Sequence, residues 1–289
     1  MPATIACIAG EEVHRQWEAG RIAGDRIGAR NTPFGESGDI FTVREDGMEF
    51  LLLSRFRPGL QKTAPRLVND RANIYALKDL GAEAVIAWGP AGAVTHNVAV
   101  GDLLVLSDVI DQTFLREKTF FEDSPLGYLR QFPVFCPRLR RALGDVLHEM
   151  KLVYHGTGVA AVREGPRLET PAEVRMLATM GAELLTHSFA PEVFLAKELQ
   201  LCYAGLCYVV NYAETGSHHR PFPSVDLFGH PPEAREQQRL ASAVGAMSEI
   251  TRRVAEAIGE PSQPCECAEP MARQIEHYDL PTDWRRWFA

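Results

Sequence analysis

The segment Arg163 to Glu198, REGPRLETPAEVRMLATMGAELLTHSFAPEVFLAKE, brings a carboxylate, an imidazole and a hydroxyl close together: Glu169, His187 and Ser188. A carboxylate accepts hydrogen bonds, an imidazole titrates near neutral pH, and a hydroxyl both donates and accepts. Local physics puts all three at the ends of elements, where a rigid scaffold presents its chemistry. Gly165-Pro166 ends the preceding strand. Thr170 is a good N-cap, Pro171 suits the first helical position and Glu173 completes a capping box. Gly181 stops that helix as a C′ glycine. Ala182 to Leu185 reads as a short buried strand, and Pro191 opens the next helix. Glu169 therefore lies just before a helix, and His187-Ser188 just after a strand.

Other apolar runs predict strands at Ile5 to Ala9, Glu49 to Ser54, Ala84 to Trp88, Leu103 to Ser107, Tyr154 to Val162 and Leu206 to Val210. Helical patterns lie between them at Pro65 to Leu80, Pro137 to Leu152 and Pro232 to Ile258. This alternation predicts an α/β fold on a largely parallel or mixed sheet. No linker or repeat divides the chain, so one domain is expected over 1–259, with an extension over 260–289. Trp284 and Trp287-Phe288 make the extension too apolar for a free tail, and it is expected to dock on its own subunit or a neighbour. Ser217 to Pro232 reads as a long loop of the kind that forms lids, and it carries His218, His219 and His230.

At 289 residues, with 46% hydrophobic and 24% charged side chains, the chain supports a large core and excludes disorder over most of its length. A net charge of -8 with no basic run argues against nucleic acid or an anionic membrane as partner. The apolar runs are too short to span a bilayer and no signal peptide precedes Ile5, so a cytoplasmic protein is expected. Its six cysteines are scattered and should be mostly reduced there. Cys265-Glu-Cys267 is the only close pair. With no second pair to complete a zinc set, no metal is expected.

The run Glu164-Gly-Pro-Arg-Leu-Glu-Thr-Pro-Ala-Glu173, then Gly181-Ala-Glu-Leu-Leu-Thr-His-Ser-Phe-Ala-Pro-Glu192, resembles the purine nucleoside phosphorylase and methylthioadenosine phosphorylase family. That family's pattern is E-G-P-x-[FL]-x-T-x-A-E and then G-A-D-x-x-x-M-[ST]-x-x-P-E. Thr32-Pro-Phe-Gly35, Val68-Asn69, Ala72-Asn-Ile-Tyr-Ala-Leu77, Trp88-Gly-Pro-Ala-Gly92 and Gly101-Asp102 extend the likeness from Ile5 to about Ile258. The resemblance implies a mixed twisted sheet, partly closed into a barrel and wrapped by helices. It also implies a homotrimer or dimer of trimers, with phosphate as co-substrate and no cofactor. Some thermophilic relatives carry a C-x-C near the same place, so a Cys265–Cys267 disulfide stays open.

The implied reaction breaks the N-glycosidic bond of a purine nucleoside. The leaving base must gain a hydrogen bond or proton at N7, and the cationic sugar must meet a nucleophile on its other face. Asn211 falls at the base-recognition position, with Glu169 upstream. An amide donates to N7, and a carboxylate accepts from the N1–H of a 6-oxopurine, a hydrogen that adenine lacks. The pair therefore implies a hypoxanthine- or guanine-type base. Gly10, Arg55, Arg57 and Ser188 fall at phosphate-binding positions. Leu168, Ala91, Gly92 and Ala213 fall beside the substrate, Leu168 replacing the usual Phe. Tyr128 aligns with a residue that a neighbouring subunit supplies. His187 replaces a Met and is placed to hydrogen-bond a ribose hydroxyl.

The anion cradle departs from the family. A G-G-[TS]-G loop becomes Ala9-Gly10-Glu11-Glu12, an Arg stands at 57 where His is usual, and Pro90 removes a backbone donor. A carboxylate about 4 Å from a phosphate costs on the order of 4 kcal/mol at an effective dielectric of about 20. Glu11 and Glu12 equally suit the first turn of a helix. They also resemble the water-activating glutamate of the related nucleoside hydrolases. Two alternatives therefore stand beside phosphorolysis: a hydrolase using Glu11 or Glu12, and a non-catalytic purine-binding relative.

Overall fold

All five residues of Ile5–Ala9 are buried. Side chains alternate across a strand, so Ala6 and Ile8 enter one apolar cluster while Ile5, Cys7 and Ala9 enter another. Such two-sided burial belongs to a central parallel strand with helices on both faces. The computed structural model, which describes residues 4–10, 16–20, 22–55, 64–213, 233–258 and 265–288, has that arrangement.

Its strands in chain order are β1 (Ile5–Ala9), β2 (Gly24–Gly28), β3 (Asn31–Thr32), β4 (Gly35–Glu36), β5 (Ile40–Glu45), β6 (Met48–Ser54) and β7 (Ala84–Ala93). Next come β8 (Leu103–Val105), β9 (Asp108–Gln112), β10 (Tyr154–His155), β11 (Val159–Arg163), β12 (Leu184–Thr186) and β13 (Cys202–Tyr212). The helices are α1 (Asp70–Asp79), α2 (Pro137–Glu149), α3 (Pro171–Thr179), α4 (Glu192–Glu198), α5 (Ala234–Gly245), α6 (Met247–Ile258) and α7 (Ala272–Tyr278).

The main sheet runs β10-β8-β13-β7-β1-β6-β5-β2. β1 is parallel to both β6 and β7, and β13 is parallel to β7 along nearly its whole length. The far end of β7 turns away to pair antiparallel with β12, which carries β11 and β9 off the main path. One face is covered by Ile74 and Leu77 of α1 and by Val193 and Leu195 of α4. The other is covered by Leu139, Leu143 and Val146 of α2 and by Ile250, Val254 and Ile258 of α6. Among the described residues no helix is long and apolar enough to cross a membrane.

The mixed α/β architecture agrees with the sequence, and its details correct it. The forecast strand stops at Trp88, yet β7 continues to Ala93 because β13 carries the ladder past Pro90. The run Tyr154 to Val162 splits into β10 and β11, and Pro232 to Ile258 splits at Ala246 into α5 and α6. Pro65 to Leu80 is a 3-10 turn and then α1, whose N-cap Asn69 accepts from the Ala72 N–H. Strands β2, β5 and β9 have no sequence forecast, since their outward faces are polar.

The extension packs on its own chain. Met271 and Trp287 lie in the first cluster, Trp284 meets Tyr75 edge-on, and Phe288 touches Phe34, Phe120 and Phe121. The reading that Cys265 and Cys267 have no second cysteine pair is corrected. Cys136 and Cys202, remote in sequence, bring their sulfurs to them, with all four Sγ atoms within 4.8 Å of one another.

Glu198 ends α4 and is buried, accepting from the Phe120 N–H at 2.7 Å and the Thr119 hydroxyl at 2.6 Å. Burial pushes its carboxyl up to about 7 from the ordinary 4.5, outweighing those two hydrogen bonds. A carboxyl raised on folding favours the native state most where it is protonated. Its contribution is therefore complete below about pH 4.5 and is lost as pH rises through about 7. Denaturant titrations across that window should lose roughly 3 kcal/mol. In Glu198→Gln the slope should flatten, and an unchanged slope would assign the titration to another group.

Candidate active site

The carboxyl ends of parallel strands are where open α/β sheets hold ligands. Here the far ends of β7 and β13, the turn after β12 and the approach to α3 line an open cavity of about 150 Å³. A cavity of that volume holds one small aromatic ring. Its walls are Pro90, Ala91 and Gly92 from β7, Leu168 and Glu169 before α3, Leu185 to His187, and Val210 to Ala213. The structure thus brings together Glu169, His187, Asn211, Leu168, Ala91, Gly92 and Ala213 around one cavity.

Glu169 is held by the start of α3. Thr170 Oγ1 accepts from the Glu173 N–H at 3.2 Å and Glu173 accepts from the Thr170 N–H at 2.8 Å, the capping box the sequence implies. Gly181 takes φ +92° just past the helix, a left-handed conformation that suits glycine. The Glu169 side chain is 3% exposed and pairs with Arg163 Nε at 3.3 Å through Oε1. A buried carboxylate needs such a counter-charge. Arg163 is fixed in turn by Gln112 at 2.6 Å and Glu173 at 2.9 Å.

Asn211 owes its aim to a bulge. The β13–β7 register shifts between Val209 and Asn211, so Val210 is the extra residue and the strand turns Asn211 toward the cavity. Gly92 makes room for it, because a Cβ there would stand 3.2 Å from Asn211 Oδ1. Among the described residues the Asn211 amide has no hydrogen-bond partner. His187 Nδ1 lies 3.0 Å from the Arg163 carbonyl oxygen. A carbonyl only accepts, so Nδ1 carries the hydrogen and Nε2 is the ring nitrogen left to face the cavity.

The residues expected to bind phosphate meet at the ends of β1, β6 and β7. The Arg55 N–H donates to the Ala9 carbonyl at 2.8 Å, which joins the ends of β1 and β6 beside the buried Gly10. Arg55 Nη1 donates to the Trp88 carbonyl at 3.0 Å, and a Cβ on the next residue, Gly89, would meet Ser188 Cβ at 2.8 Å. Arg55 and Ser188 therefore adjoin the same stretch of β7. The Arg55 fork is also engaged with Glu192, Nε to Oε1 at 2.5 Å and Nη2 to Oε2 at 3.2 Å. Burial opposes its charge, but Glu192 overcomes that and holds the guanidinium above its ordinary value. Arg57, Glu11, Glu12, His218, His219 and His230 lie outside the described residues. Tyr128 is 85% exposed and does not line the cavity of its own chain; its carbonyl accepts from Gln274.

Two residues that hold the cavity walls in place escape the sequence reading. Arg163 supplies the counter-charge of Glu169. Arg116, buried, donates to the carbonyls of His187 at 2.8 Å, Ala190 at 2.9 Å and Arg163 at 3.1 Å, and pairs with Glu164 at 3.3 Å. It ties together the loops that carry His187 and Glu169. Only the position of Arg163, at a strand end shortly before Glu169, is a sequence signal. Arg116 has none, since its partners are mostly backbone oxygens.

A family model described as the phosphorylase superfamily matches residues 28–255. The chain belongs to that family, which bears out its resemblance to the purine nucleoside and methylthioadenosine phosphorylases. A protein of Methanothermobacter thermautotrophicus named probable S-methyl-5′-thioinosine phosphorylase is 37% identical over 209 residues, covering 72% of this chain and 71% of its own. The 6-oxopurine nucleoside phosphorylase of Pyrococcus furiosus is 35% identical over 189 residues, 63% of this chain and 71% of its own. The methylthioadenosine phosphorylase of Schistosoma mansoni, solved with tubercidin, shares the fold with a TM-score of 0.77 at 23% identity, over 96% of this chain and 100% of that one.

Proposed function

We propose that the protein is a pentosyltransferase. It phosphorolyses a 6-oxopurine nucleoside or its 5′-modified analogue, of the inosine, guanosine or methylthioinosine type, to free base and pentose 1-phosphate. The observation that carries this is the meeting of Glu169 and Asn211 in one cavity. The relatives' names support it, since two of them concern 6-oxopurine or thioinosine substrates.

As the glycosidic bond lengthens, electron density moves onto the base. Asn211 Nδ2–H donates to N7, where that density collects, and Glu169 accepts from N1–H. Arg163 keeps the Glu169 carboxylate in place. The Nε2 lone pair of His187 accepts from a ribose hydroxyl. Phosphate, the co-substrate, is held by Arg55, Arg57, Ser188 and Gly10 and attacks the sugar from the face opposite the base. No cofactor takes part. The assembly is a homotrimer or dimer of trimers in the cytoplasm, with Tyr128 of one subunit covering a neighbour's site.

Purified protein is incubated with inosine, guanosine, methylthioinosine and adenosine, with and without phosphate. Base release from the 6-oxopurine nucleosides should require phosphate and yield pentose 1-phosphate, with adenosine the poorest substrate. Release that ignores phosphate would transfer the reaction to water and to Glu11 or Glu12. No release from any of them would make the protein a purine-binding relative.

A further inference from the structure

The cysteines that meet at the start of β13 come from three parts of the chain. Cys136 is the N-cap residue of α2, Cys202 is the first residue of β13, and Cys265 and Cys267 belong to the extension. All four sulfurs lie within 4.8 Å of one another, with Cys202 and Cys265 at 3.4 Å. Four thiolates about 2.3 Å from one zinc ion stand about 3.8 Å apart. The sulfurs are therefore already spaced like the corners of that tetrahedron, and small side-chain rotations close it. Two disulfides would instead require the four to separate into two pairs. Every sulfur here is near the other three, which a shared cation explains and pairing does not.

We infer that Cys136, Cys202, Cys265 and Cys267 form a structural zinc site that clamps the extension to the core.

The surroundings suit a thiolate cluster. Four thiolates on a divalent cation leave an excess negative charge, and a cationic donor lies beside the sulfurs. Arg138 Nη2 donates to Cys202 Sγ at 3.5 Å. Cys136 is itself the N-cap of α2, at the positive end of the helix dipole, which favours a thiolate. Cys136 and Cys202 are buried and the other two half-buried, so four protein ligands close the site with no open position for substrate. It is also remote from the cavity. Cys202 begins β13 and Asn211 lies near its far end, about 30 Å away at strand rise. The clamp anchors the rest of the extension, whose Met271 and Trp287 are buried against the opposite face of the sheet.

The test uses the full chain without a metal-binding tag, purified under reducing conditions. Elemental analysis should find about one zinc per chain. Cobalt replacing it should give intense thiolate-to-metal charge transfer and the visible bands of a tetrahedral ion. Chelation should lower the melting temperature and open the extension to protease, and added zinc should reverse both. Cys267→Ser should lose the zinc, whereas Cys207→Ser, at a buried thiol outside the cluster, should keep it. Where Cys267→Ser does not fold, metal content and the cobalt spectrum of the unaltered chain still decide. Protein that carries no metal as purified, before any chelation, and that shows six free thiols would overturn the site. So would a mass showing two disulfides among these four cysteines.

Discussion

Glu169→Gln lowers kcat/KM for inosine about a hundredfold and leaves that for adenosine within a few-fold of its original value. A hydrogen bond to a charged partner contributes about 1.5–3 kcal/mol, and only a base with an N1–H can make this one. The neutral amide keeps the shape of the side chain, and Arg163 retains Glu173 and Gln112 as partners, so the cavity wall stays in place. Asn211→Ala acts differently. Its hydrogen bond to N7 strengthens only as charge arrives there, so the loss should fall on kcat, by about 10²–10³-fold, and on both bases alike. Asn211→Asp should move preference toward a 6-aminopurine, because a carboxyl can pass a proton to N7. Steady-state kinetics on inosine and adenosine decide the matter. Equal losses on the two substrates in Glu169→Gln would remove Glu169 from base recognition and reduce it to a partner of Arg163.

The parts of this site that were legible in the sequence are those made by local rules. Thr170, Pro171, Glu173 and Gly181 specify where α3 starts and stops through neighbouring residues alone, and so they place Glu169. The family pattern supplied Asn211, but not the reason it faces the cavity. That reason is the extra residue Val210, a bulge with no mark in the apolar run Leu206 to Val210. Long-range meetings were invisible for a physical reason: they depend on sheet order. Cys136 and Cys202 read as isolated thiols because their pairing with Cys265 and Cys267 needs α2, β13 and the extension to converge. Arg55 reads as a phosphate-binding residue with no sign of Glu192, its partner, which sits far along the chain on α4. A strand-end motif shows the charge of its arginine but not a buried counter-ion that only the folded sheet brings to it.

That counter-ion sets the largest expected stability effect. Glu192→Gln should cost about 3–5 kcal/mol, lowering the melting temperature on the order of 10 °C. The Arg55 and Glu192 side chains are 4% and 2% exposed, and Tyr203 OH donates to Glu192 Oε2 at 2.7 Å. Two charges so deeply buried offset each other's desolvation, and removing one leaves the guanidinium uncompensated. Asp70 adds a pH dependence that a simple loss of packing would not show. Burial first, then the charge of Glu192, holds its carboxyl well above the usual carboxylate range. Once Glu192 is neutral, Asp70 ionises more readily and can answer Arg55, so the deficit of the variant should shrink as pH rises. Tyr203→Phe removes one hydrogen bond and should cost only about 1 kcal/mol. Glu49→Gln, which breaks the exposed pair with Arg44, should barely move the melting temperature. If Glu192→Gln melts no lower than Glu49→Gln, the Arg55–Glu192 pair is not what holds the ends of β6 and β7 against α4. Arg55 would then be free to face the anion alone, and its whole charge would be available to phosphate.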